Sequence, residues 1–125
     1  MIRGVGTDIV ATARMAALFR RHGERALAHF LAAEELDEGR RAGDSGRFLA
    51  KRFAAKEALA KALGCGLRAP VLLTSIAVRH DALGRPEFGY GDGLAEYMAR
   101  QGLRAHLSIS DERDFAVAFV VVESA

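Results

Sequence analysis

Residues 52–64, RFAAKEALAKALG, decide the fold of this chain, because their apolar and their charged side chains both recur at helical spacing. At about 100° per residue, the apolar side chains of this segment and of the residues just before it share one arc of about 140°. They are Phe48, Leu49, Phe53, Leu59, Ala60 and Leu63. Arg52 and Lys56 fall inside this arc, and Glu57 lies at its edge. Because burying a charge is costly unless it is paired or binds a ligand, we expect partners for these charges at the margin of a core helix.

The composition is that of an ordinary soluble protein. The 125 residues suit one domain, 1–125, with a single core, and 50% of them are hydrophobic while 27% are charged. No apolar run approaches the ~18 residues that cross a bilayer, so we expect a cytoplasmic protein with no membrane partner. Cys65 is the one cysteine, which fits a reducing compartment, and we interpret it as a small loop residue between two glycines.

The charges are unevenly distributed along the chain. The net charge is only +2, but basic residues concentrate in the first half, while a run of acids, AEELDE, occupies 33–38. This asymmetry favours a phosphate-rich ligand or an acidic partner, and we interpret the acidic run as solvated. Aromatic residues make up 7% of the chain and do not interleave with a basic stripe, so we expect no nucleic-acid partner.

The first ten residues predict a strand with an unusual face. Alternation runs over 2–10, and Asp8 shares one face of this strand with Gly4 and Gly6. Glycines beside a carboxylate leave space in front of it. That space can admit a ligand or another stretch of backbone.

Helical spacing follows this strand as far as residue 37. Gly23 weakens the first helix midway, and the polar segment 38–46 is predicted to be a loop. Asp44 or Ser45 is suited to cap the long helix that begins next, and Gly64 is suited to end it in a left-handed conformation.

Strand signals dominate the second half. The predicted elements are a strand over 71–80, a turn at Gly84, a strand over 87–90, a helix over 91–102 and strands over 104–110 and 115–123. His106, Ser108 and Ser110 share one polar face of their strand. The last strand is nearly all hydrophobic, as expected of a central strand or one covered at a subunit interface. The pattern predicts an α+β fold, with an N-terminal strand and helices followed by an antiparallel sheet.

Three polar residues need one explanation: Asp8 on the early strand, Glu57 at the helix edge and His106 on the late strand. Two carboxylates could supply oxygen ligands to Mg²⁺, and nearby Lys and Arg side chains could bind phosphates. Ordinary ion pairs explain the same residues, and their spacing alone favours these pairs over a metal.

Three motifs resemble those of a known family: GVGTDIV at 4–10, RFLAKRFAAKEALAKALG at 47–64 and HLSIS at 106–110. They are similar, in order and separation, to the motifs of the holo-[acyl-carrier-protein] synthases, which are small single-domain 4'-phosphopantetheinyl transferases. The middle motif is the most specific, and the resemblance covers nearly the whole chain. It implies the 4'-phosphopantetheinyl transferase fold.

The resemblance also implies a reaction. Members of this family use Mg²⁺ to transfer 4'-phosphopantetheine from coenzyme A to a serine of apo acyl carrier protein in fatty acid biosynthesis, and release adenosine 3',5'-bisphosphate. Asp8 and Glu57 match the metal ligands, and Lys61 matches the lysine that grips the pyrophosphate. His106 matches a histidine near the phosphates and the incoming serine. Glu57, directly or through a metal-bound water, is our hypothesis for the base that deprotonates the serine, with His106 as the competing candidate.

Further coenzyme contacts follow from the same resemblance. Gly64, Cys65 and Gly66 occupy the positions where family members have a G-T-G turn against the nucleotide. Arg85 and Pro86 occupy the positions of a K-P pair near the adenine. Ser108 is predicted to touch phosphate, and Arg52, with Lys56, to reach the 3'-phosphate or a subunit contact. This chain departs from the family at three places. Cys65 stands where the family has threonine, and Arg85 stands where it has lysine. Many relatives also carry a second histidine where this chain has Ser110 or Asp111.

The partners that the resemblance implies are an acyl carrier protein and further copies of this chain. Arg14, Leu18, Arg21 and Arg25 lie along one stripe if the first helix continues past Gly23, and they would suit an acidic carrier helix. Family members typically form homotrimers with the active site between subunits, where Asp8 and His106 could face Glu57 across a boundary. The alternatives are a non-catalytic module that binds coenzyme A or a nucleotide and, third, a nucleic-acid-binding protein.

Overall fold

The computed structural model describes residues 1–125, apart from the side chain of Asp92. The helices are α1 (Thr12–His22), α2 (Glu24–Phe30), α3 (Leu36–Arg41), α4 (Ser45–Leu63) and α5 (Asp92–Gln101). The strands are β1 (Ile2–Ala11), β2 (Ile76–His80), β3 (Pro86–Tyr90), β4 (Leu103–Asp111) and β5 (Phe115–Ser124). Short 3-10 turns cover Ala33–Glu35 and Leu73–Ser75. This architecture confirms the predicted α+β class.

The strands form two antiparallel sheets. The larger sheet has the order β1-β5-β4. Ala118 on the central strand β5 lies between Asp8 of β1 and Ile109 of β4. The smaller is the hairpin β2-β3, whose turn uses Gly84 at φ 85° as predicted. Helix α4 covers one face of the larger sheet and forms the core with it. The all-hydrophobic last strand is therefore the central strand of its sheet.

Glycines on β1 explain how closely α4 approaches the sheet. A Cβ on Gly4 would lie 2.0 Å from the carbonyl oxygen of Ala62, and one on Gly6 would lie 2.0 Å from that of Ala58. The space in front of these glycines is thus filled by another backbone, which was one of the two predicted occupants. The contact brings the helix edge that carries Glu57 next to the strand that carries Asp8.

The opposite face of the larger sheet is apolar and exposed. Alternate residues of β5 are buried against α4, whereas Phe115, Val117 and Phe119 on the other face are 49%, 37% and 47% exposed. On β1, Val5 and Ile9 continue this surface at 57% and 62% exposure. A contiguous apolar surface of this kind is characteristic of a protein interface.

Several predicted boundaries are confirmed, and three predictions are wrong. Asp44 caps α4 by accepting a hydrogen bond from the Arg47 amide at 3.0 Å, and Gly64 ends it at φ 78°. Gly23, at φ 56°, breaks the first helix instead of weakening it. The predicted loop 38–46 contains the last turn of α3, and the strand predicted over 71–80 begins only at Ile76. No helix in the described part of the chain is long and apolar enough to cross a membrane.

The charges inside the apolar arc of α4 pair with one residue of the acidic run. Glu35 is only 1% exposed, and its two carboxylate oxygens accept from Lys56 at 2.5 Å and from Arg52 at 2.9 Å. The same carboxylate also accepts from the amides of Ala32 and Val78. Burial nevertheless lowers the pKa of Lys56 to about 8, against the opposing effect of Glu35. We call Glu35, Arg52 and Lys56 the buried ion cluster.

This buried ion cluster corrects two predictions. Arg52 is 4% exposed, and its guanidinium already donates to Glu35, Glu38 and the carbonyl of Val78, so its main partners lie within the chain and its contact with a coenzyme stays a prediction. Lys56 is fully buried and reaches neither a phosphate nor a subunit surface. The acidic run is not simply solvated, because Glu35 is the counter-ion that these two cations require.

Candidate active site

Strand β1 and helix α4 bring three predicted residues together in one chain. Lys61 Nζ donates to Asp8 Oδ1 at 3.1 Å and to the carbonyl of Thr7 at 2.9 Å. Glu57 lies one helical turn before Lys61 on the same face of α4. We call Asp8, Glu57 and Lys61 the carboxylate site. The side chain of Lys61 remains 53% exposed and can still reach a ligand.

The two carboxylates of this site repel each other. The pKa of Glu57 is raised above its ordinary value, first by partial burial and second by the charge of Asp8, while Lys61 and Arg14 oppose the shift. Two acids at close range in a partly buried place are unfavourable unless cations neutralise them. Lys61 supplies one positive charge, and a divalent cation would supply more.

The donor set of the carboxylate site fits Mg²⁺. Carboxylate oxygens are the ligands that Mg²⁺ prefers, and it commonly takes one or two of them together with phosphate oxygens and water. Among the described side chains, no group of three or more His, Cys, Asp or Glu residues is placed to hold a metal ion. A cation at Asp8 and Glu57 would therefore need water or other oxygen ligands, such as phosphate, to complete its coordination.

The glycine turn predicted to touch the nucleotide follows α4 directly. Gly64 and Gly66 have φ of 78° and 69°, values that favour glycine, and the Gly64 amide bonds back to the carbonyls of Ala60 and Lys61. Cys65 is half-buried against the core, which agrees with its interpretation as a small loop residue. The turn therefore begins one helical turn after Lys61.

A second group of predicted residues lines a cleft of about 720 Å³. We call it the His106 cleft, and its walls include Arg85, Pro86, Phe88, Tyr90, Arg104 and His106. The rings of Phe88 and Tyr90 are stacked, with centroids 6.3 Å apart. The volume lies within the range of small-molecule sites. The structure thus brings Arg85, Pro86 and His106 together along one cleft.

The carboxylate site and His106 lie on opposite faces of the same sheet. Asp8 and its cross-strand neighbour Ala118 lie on the face that α4 covers. His106 is opposite Val121 and points, with Ser108, to the other face. The prediction that Asp8 faces Glu57 across a subunit boundary is therefore wrong, because both belong to one chain. His106 can meet them only from a different copy of the chain.

Four further residues occupy distinct places around these groups. Ser108 and Ser110 are exposed on the His106 face of β4. Asp111, at the end of the strand, accepts a hydrogen bond from Arg47 Nε and so ties the start of α4 to β4. Glu123, which the sequence reasoning missed, has its Oε1 2.8 Å from His106 Nε2. No sequence signal marked it, because the pairing depends on the register of two strands.

The predicted docking residues are divided by the break at Gly23. Arg14 lies on α1 near Glu57, with its guanidinium 5.6 Å from the centre of the Phe53 ring, and Arg21 is exposed further along. Leu18 on α1 and Arg25 on α2 still meet, because both line a cleft of about 450 Å³ between the two helices. The single stripe is wrong, but a basic surface with an apolar cleft is present.

These features define a class of protein: an α+β fold with two carboxylates and a lysine on one face of its larger sheet and an exposed apolar surface on the other. Residues 4–120 match the model of the 4'-phosphopantetheinyl transferase superfamily. The chain belongs to this superfamily, as its three motifs indicated.

Individual relatives agree over their whole length. A holo-[acyl-carrier-protein] synthase of Dechloromonas aromatica is 54% identical over 125 residues, 100% of both chains. The crystal structure of the Neisseria meningitidis synthase superposes with a TM-score of 0.94 at 49% identity, covering 98% of this chain and 99% of that one. A Bacillus anthracis synthase in complex with CoA (3',5'-ADP) has a TM-score of 0.83 at 33% identity, covering 100% and 99%. The predicted fold is thereby confirmed.

Proposed function

We propose that this protein transfers 4'-phosphopantetheine from coenzyme A to a serine of apo acyl carrier protein, in fatty acid biosynthesis. The products are holo acyl carrier protein and adenosine 3',5'-bisphosphate. The carboxylate site carries this proposal, since paired acids beside a lysine are what a phosphate-transfer site requires. The names of the full-length relatives and the bound CoA of the Bacillus anthracis synthase support it.

Within this proposal, Asp8 and Glu57 hold Mg²⁺, which when bound neutralises charge on the pyrophosphate oxygens. Lys61 reaches the same pyrophosphate with its exposed ammonium group and is already oriented by the Thr7 carbonyl. Glu57 accepts the proton of the serine hydroxyl. Positioning and charge neutralisation account for most of the catalysis of phosphoryl transfer, which these three residues suit.

The coenzyme binds, in this proposal, between two copies of the chain. The carboxylate site and the glycine turn 64–66 belong to one copy, and the His106 cleft with Arg85 and Pro86 belongs to the next. Two observations support this arrangement: the two groups lie on opposite faces of one sheet, and the face that carries His106 is apolar and exposed. Such head-to-tail contacts can close into a ring, and we propose the homotrimer that the family resemblance implies.

The carrier protein docks on the basic surface formed by Arg14, Leu18, Arg21 and Arg25. Arg14 lies close enough to Glu57 to influence its pKa, so a carrier bound there is adjacent to the carboxylate site. Long basic side chains steer an acidic partner, and the cleft at Leu18 accepts an apolar side chain. A reaction between coenzyme A and a carrier protein places the protein in the cytoplasm.

Intact-mass measurement of an apo acyl carrier protein tests the proposal. The carrier is incubated with coenzyme A and this protein, with Mg²⁺ or with a chelator. We expect a gain of one phosphopantetheine that requires the metal and is nearly lost in Glu57→Gln, but not in Glu96→Gln on the exposed surface of α5. Binding of coenzyme A without transfer to any of several carriers would instead indicate a non-catalytic binding module.

A further inference from the structure

Glu123 forms a specific pair with His106 on the exposed face of the larger sheet. Its Oε1 lies 2.8 Å from His106 Nε2, across the β4-β5 ladder. In the register of that ladder, Glu123 is opposite Arg104, and His106 is opposite Val121, so the pair runs diagonally between neighbouring strands. The imidazole is 54% exposed at the wall of its cleft and the carboxylate 36%.

The charges around Glu123 keep it ionised. The hydrogen bond from His106 lowers the pKa of Glu123 most, and the charges of His106, Arg104 and the N-terminal amine lower it further. An ionised carboxylate can only accept hydrogen bonds. The proton of this hydrogen bond therefore belongs to Nε2 of the imidazole, which leaves Nδ1 as the ring atom available to a ligand.

We propose that Glu123 is a positioning residue for His106: by accepting from Nε2–H it fixes the plane of the ring, so that the Nδ1–H of the imidazolium form is directed at the phosphate groups of the bound coenzyme. The inference rests on the proposed function and extends it. A second residue is needed because His106 stands on an exposed strand, where an imidazole without a partner can adopt several rotamers. Fixing one rotamer in advance removes that entropy cost from binding.

The variants that test this inference differ in what they leave at position 123. Glu123→Leu removes the acceptor, whereas Glu123→Gln keeps an acceptor oxygen in nearly the same place. We expect Glu123→Leu to raise the coenzyme A dissociation constant and to lower kcat/KM for the transfer, each about tenfold, as for other carboxylate partners of functional histidines. Glu123→Gln should recover most of both. Glu96→Leu is the matched control on an exposed helix.

A double-mutant cycle separates positioning from a structural role. If Glu123 acts through His106, then Glu123→Leu has no further effect on coenzyme A binding once His106→Ala is present. Equal losses in both backgrounds, or a Glu123→Gln variant as weak as Glu123→Leu, would overturn the inference. Calorimetry measures this binding without turnover, and thermal unfolding of each variant identifies any that fails to fold.

The outcomes also separate this inference from the proposed function. If the wild-type protein transfers phosphopantetheine but the effects of the two substitutions simply add, only the role of Glu123 is wrong. A wild-type protein that neither binds coenzyme A nor modifies a carrier defeats the proposed function and this inference with it.

Discussion

At the scale of single residues, the raised pKa of Glu57 predicts a conflict between stability and activity. A carboxyl whose pKa is raised on folding destabilises the folded protein when it ionises. This cost is fully present above the raised pKa and is lost as the pH falls from that value to the ordinary pKa of a glutamate. Glu57→Gln removes that charge and should stabilise the metal-free protein at neutral pH by about 0.5 kcal/mol. The gain is small because Glu57 is partly exposed.

Urea unfolding of Glu57→Gln and wild type at neutral and acidic pH measures this difference. The advantage of the variant should shrink in acid, where the wild-type carboxyl is protonated as well. A variant less stable than wild type at neutral pH would contradict the repulsion between Asp8 and Glu57.

How far single residues can be predicted depends on whether their partners are local in sequence. Glu57 and Lys61 are one turn apart on a helix, and Asp8 belongs to a recognisable motif, so the sequence indicates all three. Arg52 and Lys56 show the limit. A helical projection places them in the buried arc, but their partner Glu35 lies 17 and 21 residues away, in an acidic run whose composition indicates exposure to solvent.

At the scale of elements, the contact between β1 and α4 determines the geometry of the carboxylate site. Gly6→Ala would place a Cβ 2.0 Å from the Ala58 carbonyl oxygen, which cannot move without shifting the helix backbone. We expect a loss of about 2 kcal/mol or more in the free energy of unfolding, as in overpacked cores. Transfer activity should fall further than stability alone explains, because the shift separates Glu57 from Asp8.

Gly43→Ala is the matched control for this substitution. Among the described atoms, nothing lies within 4 Å of a Cβ at that position, which precedes α4. Denaturant unfolding and carrier modification are measured for both variants. If Gly6→Ala is as stable and active as Gly43→Ala, then close packing of β1 on α4 does not position the site.

Elements with strong periodicity or clear caps could be predicted from the sequence, and those defined by tertiary contacts could not. The long helix has an Asp cap, a Gly end and an apolar arc, and its predicted limits agree with α4. Helix α3 was missed because four of its six residues, LDEGRR, are charged and one is a glycine, but Gly39 packs directly against Leu31. Neither the sheet order nor the face on which His106 lies follows from strand periodicity alone.

At the scale of the whole molecule, one chain has both halves of the proposed site but does not join them. Asp8 and His106 lie on opposite faces of one sheet, and an exposed surface with Val5, Ile9 and Phe119 surrounds the second half. If neighbouring copies in a ring complete one another's sites, a defect in either half can be complemented by a different copy. Asp8→Asn and His106→Ala are suitable partners because each damages only one half.

Co-expression of Asp8→Asn and His106→Ala chains in equal amounts should therefore restore transfer activity. In a closed ring of randomly mixed copies, about a quarter of the sites combine an intact carboxylate site with an intact His106 from the next copy. The mixture should then reach about a quarter of the wild-type rate, well above the mean of the two separate variants. Activity no higher than that mean would mean that the groups do not act together between copies. Light scattering on the same mixture measures the assembly separately. If the ring is intact, such a result identifies His106, and not the ring, as the wrong part of the proposed site.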